Sequence, residues 1–179
     1  PYLQISMRDQ FVPKMSYTYT YRSPRRYRHP ITWSTTISEA ANILSLGYMA
    51  AGKGWNEKDK KMFKNPFAQF LKLETDFVKY WRITQDGTLV GHVNAGIIWS
   101  YGNAENAPYY EQFYIGGANS VRAFNVRSIG PGRYQPTNSK YSYIDQTGDI
   151  KYLMNLEYRQ KVWGDLYGAL FLDAGNVWT

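Results

Sequence analysis

The stretch that decides the fold is "GDIKYLMNLEYRQKV", residues 148–162, in which apolar and polar side chains take turns along the chain. Successive side chains of a β-strand point to opposite faces of its sheet, so this spacing predicts a strand with one apolar and one polar face. The apolar positions are Ile150, Tyr152, Met154, Leu156 and Tyr158, and the polar positions are Lys151, Asn155, Glu157, Arg159 and Lys161.

The same alternation recurs along the chain and predicts about seven strands, at residues 2–8, 16–22, 31–38, 67–83, 89–101, 148–162 and 166–176. Several of these segments run past the usual strand length of about five or six residues. A tilted strand needs roughly nine to eleven residues to cross a bilayer. The longer segments are therefore long enough to span a membrane.

The connections between these strands alternate between short and long. Short turns follow the second, fourth and sixth strands: "SPRRYRHP" (23–30), "TQDGT" (84–88) and "VWGDL" (162–166). Long segments follow the third and fifth strands, at 39–66 and 102–147. Outer-membrane barrels have short periplasmic turns and long extracellular loops, whereas a soluble sandwich has no reason to obey this rule. The predicted fold class is all-β, a transmembrane antiparallel β-barrel of which this chain is a part.

Composition alone leaves the barrel and a soluble antiparallel sandwich equally open. Aromatic residues make up 17% of the chain, yet the mean hydropathy is −0.53. There is no run of eighteen apolar residues, so no transmembrane helix is expected. The net charge of +7 raises nucleic-acid binding as an alternative. Because the charges are mostly scattered, solvated loops or anionic lipid headgroups explain them more simply, and we expect no nucleic-acid partner.

The first long loop has two parts. Residues 39–52, "EAANILSLGYMAAG", have helical spacing and predict a short amphipathic helix, although an extension of the preceding strand remains an alternative. Residues 53–66, "KGWNEKDKKMFKNP", predict a solvated loop face.

The sequence offers little for catalysis or metal binding. No Gly-x-Ser-x-Gly elbow surrounds any serine, and the histidines are His29, in an arginine-rich turn, and His92, on the polar face of a strand. A barrel phospholipase with His92 as its base is an alternative, but a polar filler of the lumen is the favoured interpretation. The chain has no cysteine, which excludes disulfides and thiolate sites. We expect no enzyme activity, no metal and no cofactor.

The second long loop carries "YIGGANSVRAFNVRSIGPG", residues 114–132, in which Val121, Arg122, Ala123 and Phe124 place a charge among apolar side chains. Two acids follow on the predicted polar faces, Glu157 and Asp173. A buried carboxylate needs a partner, and a guanidinium can bridge two of them. One hypothesis folds the loop into the lumen, where Arg122 reaches both acids while Val121 and Phe124 wedge it in place. The alternative is a surface arginine and a hydrated Asp173, and spacing alone does not separate the two.

These residues resemble a known family. Gly116-Gly117, then Val121-Arg122-Ala123-Phe124, then the strand with Glu157 and finally "FLDAG" (171–175) are similar to the C-terminal barrel of the BamA/TamA superfamily of outer-membrane assembly factors. The resemblance covers residues 67 to 179 well and the earlier strands by pattern. "SIGPG" (128–132), with Gly130 and Gly132, looks like relatives from Bacteroides-type bacteria.

The resemblance implies a barrel of about sixteen strands in the bacterial outer membrane, whose sixth extracellular loop inserts into the lumen. It also implies that Arg122 pairs with Glu157 and Asp173. The implied function is the assembly and insertion of other outer-membrane proteins, or translocation, without a cofactor. The implied partners are client outer-membrane proteins, outer-membrane lipid, and accessory lipoproteins or periplasmic partners. A secretion pore of the two-partner type and a passive porin remain alternatives, as does the choice between the BamA-like and TamA-like branches.

Two departures from the family pattern carry expectations. Ala123 stands where the family has glycine, so a positive φ at this position would strain it. The chain begins Pro1-Tyr2 and is expected to be an internal piece, residues 1–179 forming part of one barrel domain with loop 102–147 folded into the lumen. The family's periplasmic repeat domains and closing strands are expected to lie outside it.

Overall fold

A computed structural model describes residues 10–24, 26–62, 64–134 and 146–179 of the chain. In these ranges the chain forms eight strands and one helix. The elements in chain order are β1 (Lys14–Arg22), β2 (Ile31–Ala40), α1 (Asn42–Ala50), β3 (Lys61–Met62), β4 (Asn65–Pro66), β5 (Phe70–Arg82), β6 (Gly87–Ser100), β7 (Ile150–Trp163) and β8 (Leu166–Trp178).

Six of the strands form one sheet in the order β1-β2-β5-β6-β7-β8, with every neighbouring pair antiparallel. These six strands confirm the alternation pattern of the sequence to within a few residues. The predicted strand at 2–8 lies outside the described residues. Within the described ranges, β1 and β8 are the two edges of the sheet and do not pair with each other.

The two faces of the sheet differ as the sequence pattern requires. On the outer face, large apolar side chains are exposed along successive strands: Tyr17, Tyr19, Trp33, Ile37, Leu73, Phe77, Ile97, Tyr152, Leu156, Leu170 and Leu172. On the opposite, inner face, hydroxyl groups pair across β1 and β2, with Ser16 bonded to Ser38 at 2.8 Å and Thr18 to Thr36 at 2.9 Å. The sheet therefore directs polar side chains to its inner face and apolar side chains to its outer face. None of the helices in the described part of the chain is long and apolar enough to cross a membrane.

The core lies between the inner face and the described parts of the long segment, residues 101–134 and 146–149, which pack against it. Buried side chains from the strands and from this segment form a single cluster. Its members are Ala40, Ala68, Phe70, Ile98, Ala107, Phe113, Ile115, Val121, Leu153 and Val177. Because loop residues supply four members of this cluster, Ala107, Phe113, Ile115 and Val121, the loop is part of the packed interior.

The first long loop is more ordered than its sequence suggests. The helical spacing of residues 39–52 is confirmed by α1, which follows Ala41 in a left-handed conformation at φ 58°. The prediction of a solvated face at 53–66 is wrong for Lys60, which is 0% exposed. Its Nζ donates to the carbonyl oxygen of Trp55 at 2.7 Å and to Ser45 Oγ at 3.0 Å. Burial lowers the pKa of Lys60 below the ordinary lysine value, because removal from water penalises the ammonium form.

Candidate functional site

Main-chain hydrogen bonds on both sides of Arg122 join the long segment to itself and to β8. Phe113 exchanges two main-chain hydrogen bonds with Gly148, both at 2.9 Å, just before β7 begins. Farther along, the amide of Gly132 donates to the carbonyl oxygen of Val177 in β8 at 2.7 Å. The tip between these two attachments, which carries Arg122, is thereby held over β7 and β8.

Arg122 and Asp173 form the centre of the site. The main-chain amide of Arg122 donates to Asp173 Oδ2 at 2.9 Å, and its side-chain Nε donates to the same oxygen at 2.8 Å. The terminal Nη2 donates to the other oxygen, Oδ1, at 2.9 Å. The Asp173 side chain is only 3% exposed. A two-pronged guanidinium–carboxylate pair of this kind fixes orientation as well as charge.

Glu157 completes the predicted trio. Arg122 donates from Nη1 to Glu157 Oε2, while Arg159 donates to the other oxygen of the same carboxylate. The hydrogen bonds to Asp173, and then the one to Glu157, raise the pKa of Arg122 above its ordinary value.

Strand register explains why both acids reach one guanidinium. In the β7–β8 pair, Asp173 lies opposite Asn155 and Glu157 lies opposite Phe171, on two successive rungs of the inner face. Phe171 also packs against Arg122, since its ring centre lies 3.9 Å from the Arg122 Cζ. On the sequence alone, Val121 and Phe124 were expected to hold the arginine in place. Of the two residues that were predicted to wedge Arg122 in place, Val121 is buried and Phe124 is 54% exposed. A cation packs well on an aromatic face, and β8 supplies that face from the wall side of the loop.

The backbone of the loop tip requires left-handed conformations at several positions. Gly116 has φ 112° and Gly117 has φ 99°. A Cβ added at Gly116 would overlap the carbonyl oxygen of Asn125, so only glycine fits there. Ala123 has φ 78°. The sequence predicts that a positive φ strains an alanine at this position, where the family has glycine. Alanine at this position is strained.

The two predicted glycines after the motif shape the return of the loop to the sheet. Gly130 has φ 89° and Gly132 has φ 57°. Asn176 of β8 donates from Nδ2 to the carbonyl oxygen of Gly132 at 2.8 Å. These glycines therefore lie at the edge of the site, against the end of β8.

Asn155 and His92 belong to the site, although the sequence predicts only a polar filler for His92 and a polar-face position for Asn155. Asn155 donates to the carbonyl oxygen of Ser120 in the loop at 2.7 Å and to Asp173 Oδ1 at 2.8 Å. Its own oxygen accepts from His92 Nδ1 at 2.8 Å. The other ring nitrogen, Nε2, faces Asp76 Oδ2 at 2.7 Å. The signal that could have found them is their position, since the register puts His92 directly opposite Asn155.

The result is a balanced ionic network across β5, β6, β7 and β8. Both ring nitrogens of His92 face acceptors, so the imidazole satisfies both only when it is doubly protonated. Three cationic groups then face three carboxylates: Arg122, Arg159 and His92 against Asp173, Glu157 and Asp76. Among the described residues, no cluster of three or more His, Cys, Asp or Glu side chains has metal-binding geometry.

A sheet with an apolar outer face and an inner face that locks a long loop through an arginine and two acids defines a class of membrane barrel with an inserted loop. The Omp85 superfamily domain matches residues 61–179. The chain belongs to this superfamily, and its sheet is part of a β-barrel of the bacterial outer membrane.

Two curated relatives carry the same name, "Outer membrane protein assembly factor BamA". The protein from Neisseria meningitidis serogroup B is 31% identical over 157 residues, which is 85% of this chain. The protein from Nitratidesulfovibrio vulgaris is 32% identical over 108 residues, which is 59% of this chain. The chain spans 19% and 13% of the lengths of these two relatives.

Proposed function

We propose that the protein takes part in the assembly of other outer-membrane proteins, with client outer-membrane proteins as its partners. The observation that carries the proposal is the bonding of Arg122 to Asp173 and Glu157, in a chain of the Omp85 superfamily. The name of the two relatives, outer membrane protein assembly factor, supports the same function.

In this proposal the locked loop gives the inner wall a defined shape. A buried ion pair contributes little net stability compared with apolar packing, but it specifies one arrangement because the alternative leaves charges unpaired. Arg122 thus fixes the loop tip to β7 and β8, while the exposed apolar face of the sheet meets outer-membrane lipid. The work needs no cofactor, no nucleotide and no bond-making chemistry. The engagement of both His92 ring nitrogens with Asp76 and Asn155 supports a structural role for this histidine.

The test is Arg122→Ala in the full-length protein, expressed in its own bacterium. This change leaves Asp173 and Glu157 without their shared cation, and removing one member of a buried pair costs about 3–5 kcal/mol. We expect the folded barrel of the variant to unfold on a gel at a lower temperature than the wild-type barrel. We also expect the insertion of client proteins to fall. Arg133→Ala, at an exposed arginine of the same loop, is the matched control and should behave as wild type. Wild-type heat resistance and client insertion in Arg122→Ala would contradict the proposal.

Three other functions give different results in simple assays. A two-partner secretion pore would support export of one secreted substrate and show no effect on general client insertion. A passive porin would show single-channel conductance that is independent of clients. A phospholipase would lose lipid hydrolysis in His92→Ala. Accessory lipoproteins or periplasmic partners would copurify with the full-length protein.

A further inference from the structure

We propose that Glu111 is a second anchor of the long loop and that it positions the loop against β1 and β5. Its charge is opposite to that of Arg122. The Glu111 Oε1 atom accepts from Lys14 Nζ at 2.5 Å, and Oε2 lies 3.5 Å from Lys72 Nζ. Lys72 Nζ also donates to the main-chain carbonyl oxygen of Glu111 at 2.8 Å. The inference rests on the proposed function and concerns the same loop.

The burial of Glu111 makes these contacts more than a surface ion pair. Glu111 is 7% exposed, so an unpaired carboxylate at this place would be strongly unfavourable. Lys72 is itself largely buried, and its Nζ lies 4.7 Å from the ring centre of Phe113, two residues beyond Glu111. The two lysines therefore neutralise an acid that the loop has carried into the interior.

The register shows what this anchor spans. Lys14 belongs to β1 and Lys72 belongs to β5, with β2 between them. Lys72 pairs with Ser38, and Ser38 pairs with Ser16, which shares the inner face of β1 with Lys14. One loop carboxylate thus holds residues of two strands that are not neighbours in the sheet.

The position of Glu111 is set by the backbone around it. Its amide donates to the carbonyl oxygen of Pro108 at 2.8 Å, which closes a turn. Phe113 is buried and is bonded at both its amide and its carbonyl to Gly148. The carboxylate is consequently presented to the wall from a fixed segment, as expected for a positioning residue.

The two anchors act at opposite ends of the described sheet. Arg122 is a loop cation between two wall acids on β7 and β8, whereas Glu111 is a loop anion between two wall lysines on β1 and β5. The two anchors carry opposite charges. Arg122 near the wall lysines, or Glu111 near the wall acids, would meet like charges, which disfavours a shifted loop. The loop is therefore attached near both edges of the described sheet in a single register.

The test uses the purified full-length protein in detergent micelles, treated with proteinase K. The variants are Glu111→Gln, Lys14→Gln and the double variant, and Glu105→Gln is the control, since Glu105 lies in the same loop and its ion pair with Lys58 is exposed. Hydrogen bonds to charged groups contribute enough to predict roughly tenfold or faster cleavage within 102–113 for Glu111→Gln. Lys14→Gln should give a smaller increase, and the double variant should match Glu111→Gln because the two residues act as a pair.

The results separate the anchor from the function. Unchanged cleavage in Glu111→Gln, or additive effects in the double variant, would overturn the anchor. If Glu111→Gln does not accumulate as a folded barrel, Lys14→Gln decides, and wild-type cleavage there would overturn it as well. Client insertion per folded barrel is measured in the same variants. Faster cleavage with wild-type client insertion would uphold the anchor and count against the proposed function of the loop.

Discussion

The main-chain amide and the side-chain Nε of Arg122 converge on one oxygen of Asp173, at 2.9 and 2.8 Å. The loop backbone and the loop side chain are therefore fixed by the same carboxylate. Lysine cannot reproduce this arrangement, because its ammonium lacks the planar fork that reaches both carboxylate oxygens at once. The two acids of the site are not equivalent, since Glu157 receives one bond from Arg122 and shares its charge with Arg159.

This asymmetry predicts that Asp173→Asn will weaken the site more than Glu157→Gln. Asp173→Asn removes the charge that faces three donors of Arg122, and it should resemble Arg122→Ala in a milder form because the amide oxygen can still accept. The expected cost is about 2–3 kcal/mol, the upper range for hydrogen bonds to charged groups, against roughly 1 kcal/mol for Glu157→Gln. The measurement is the midpoint of heat-induced unfolding of the barrel on a gel. Equal midpoints for the two variants would show that Arg122 does not prefer Asp173.

Ala123 offers a stabilising change within the motif. Its φ of 78° is unfavourable for a residue with a Cβ and natural for glycine. Ala123→Gly should raise the free energy of unfolding by roughly 1 kcal/mol, less the greater freedom of glycine in the unfolded chain. Ala118→Gly is the control, since Ala118 lies in the same loop and is not among the residues with positive φ. It should be neutral or destabilising. A lower unfolding midpoint for Ala123→Gly would mean that the alanine methyl group packs more favourably than its backbone is strained.

Much of the fold was predictable because one sheet with two unlike faces has a simple sequence signature. Alternation located the six long strands, and the sequence of short and long connections separated a barrel from a sandwich. The trio of Arg122, Asp173 and Glu157 followed from the charge pattern together with the resemblance to a known family. A lone acid in an apolar strand needs a partner, and the structure brings one to it.

The errors have a common cause in tertiary contacts that no periodicity encodes. Lys60 was placed in a solvated loop by composition, but the fold surrounds it with Ser45 and the carbonyl of Trp55. Phe124 was expected to help wedge Arg122 in place, whereas the ring that packs on Arg122 is Phe171, which strand register places opposite Glu157. Contacts across a sheet depend on register, and register becomes known only when the strands pair.

Asn155 and His92 should have separable effects, although they share a hydrogen bond. Asn155 touches the loop directly through the carbonyl of Ser120, whereas the ring nitrogens of His92 bond to Asn155 and Asp76. Asn155→Ala should therefore expose the loop tip to protease and lower the unfolding midpoint, since an unsatisfied buried group costs about 1–3 kcal/mol. His92→Ala should lower the midpoint with little change in cleavage of residues 114–127. Faster cleavage of the tip in His92→Ala would show that the network transmits its loss to the loop.

The ring of Phe113 packs closely against Gly96, and a single added methyl group should disrupt this contact. A Cβ added at Gly96 of β6 would come closer than 3.0 Å to three ring atoms of Phe113. The ring cannot step aside freely, because the Phe113 backbone is bonded on both sides to Gly148. Overpacking of this kind costs about 1–3 kcal/mol, so Gly96→Ala should lower the unfolding midpoint and loosen residues 111–115. Adding Phe113→Leu should restore part of the loss. Gly168→Ala in β8, where the nearest atom to the added Cβ is 3.7 Å away, is the matched control and should be neutral. A wild-type midpoint for Gly96→Ala would show that the loop rests on the sheet without close contact at this position.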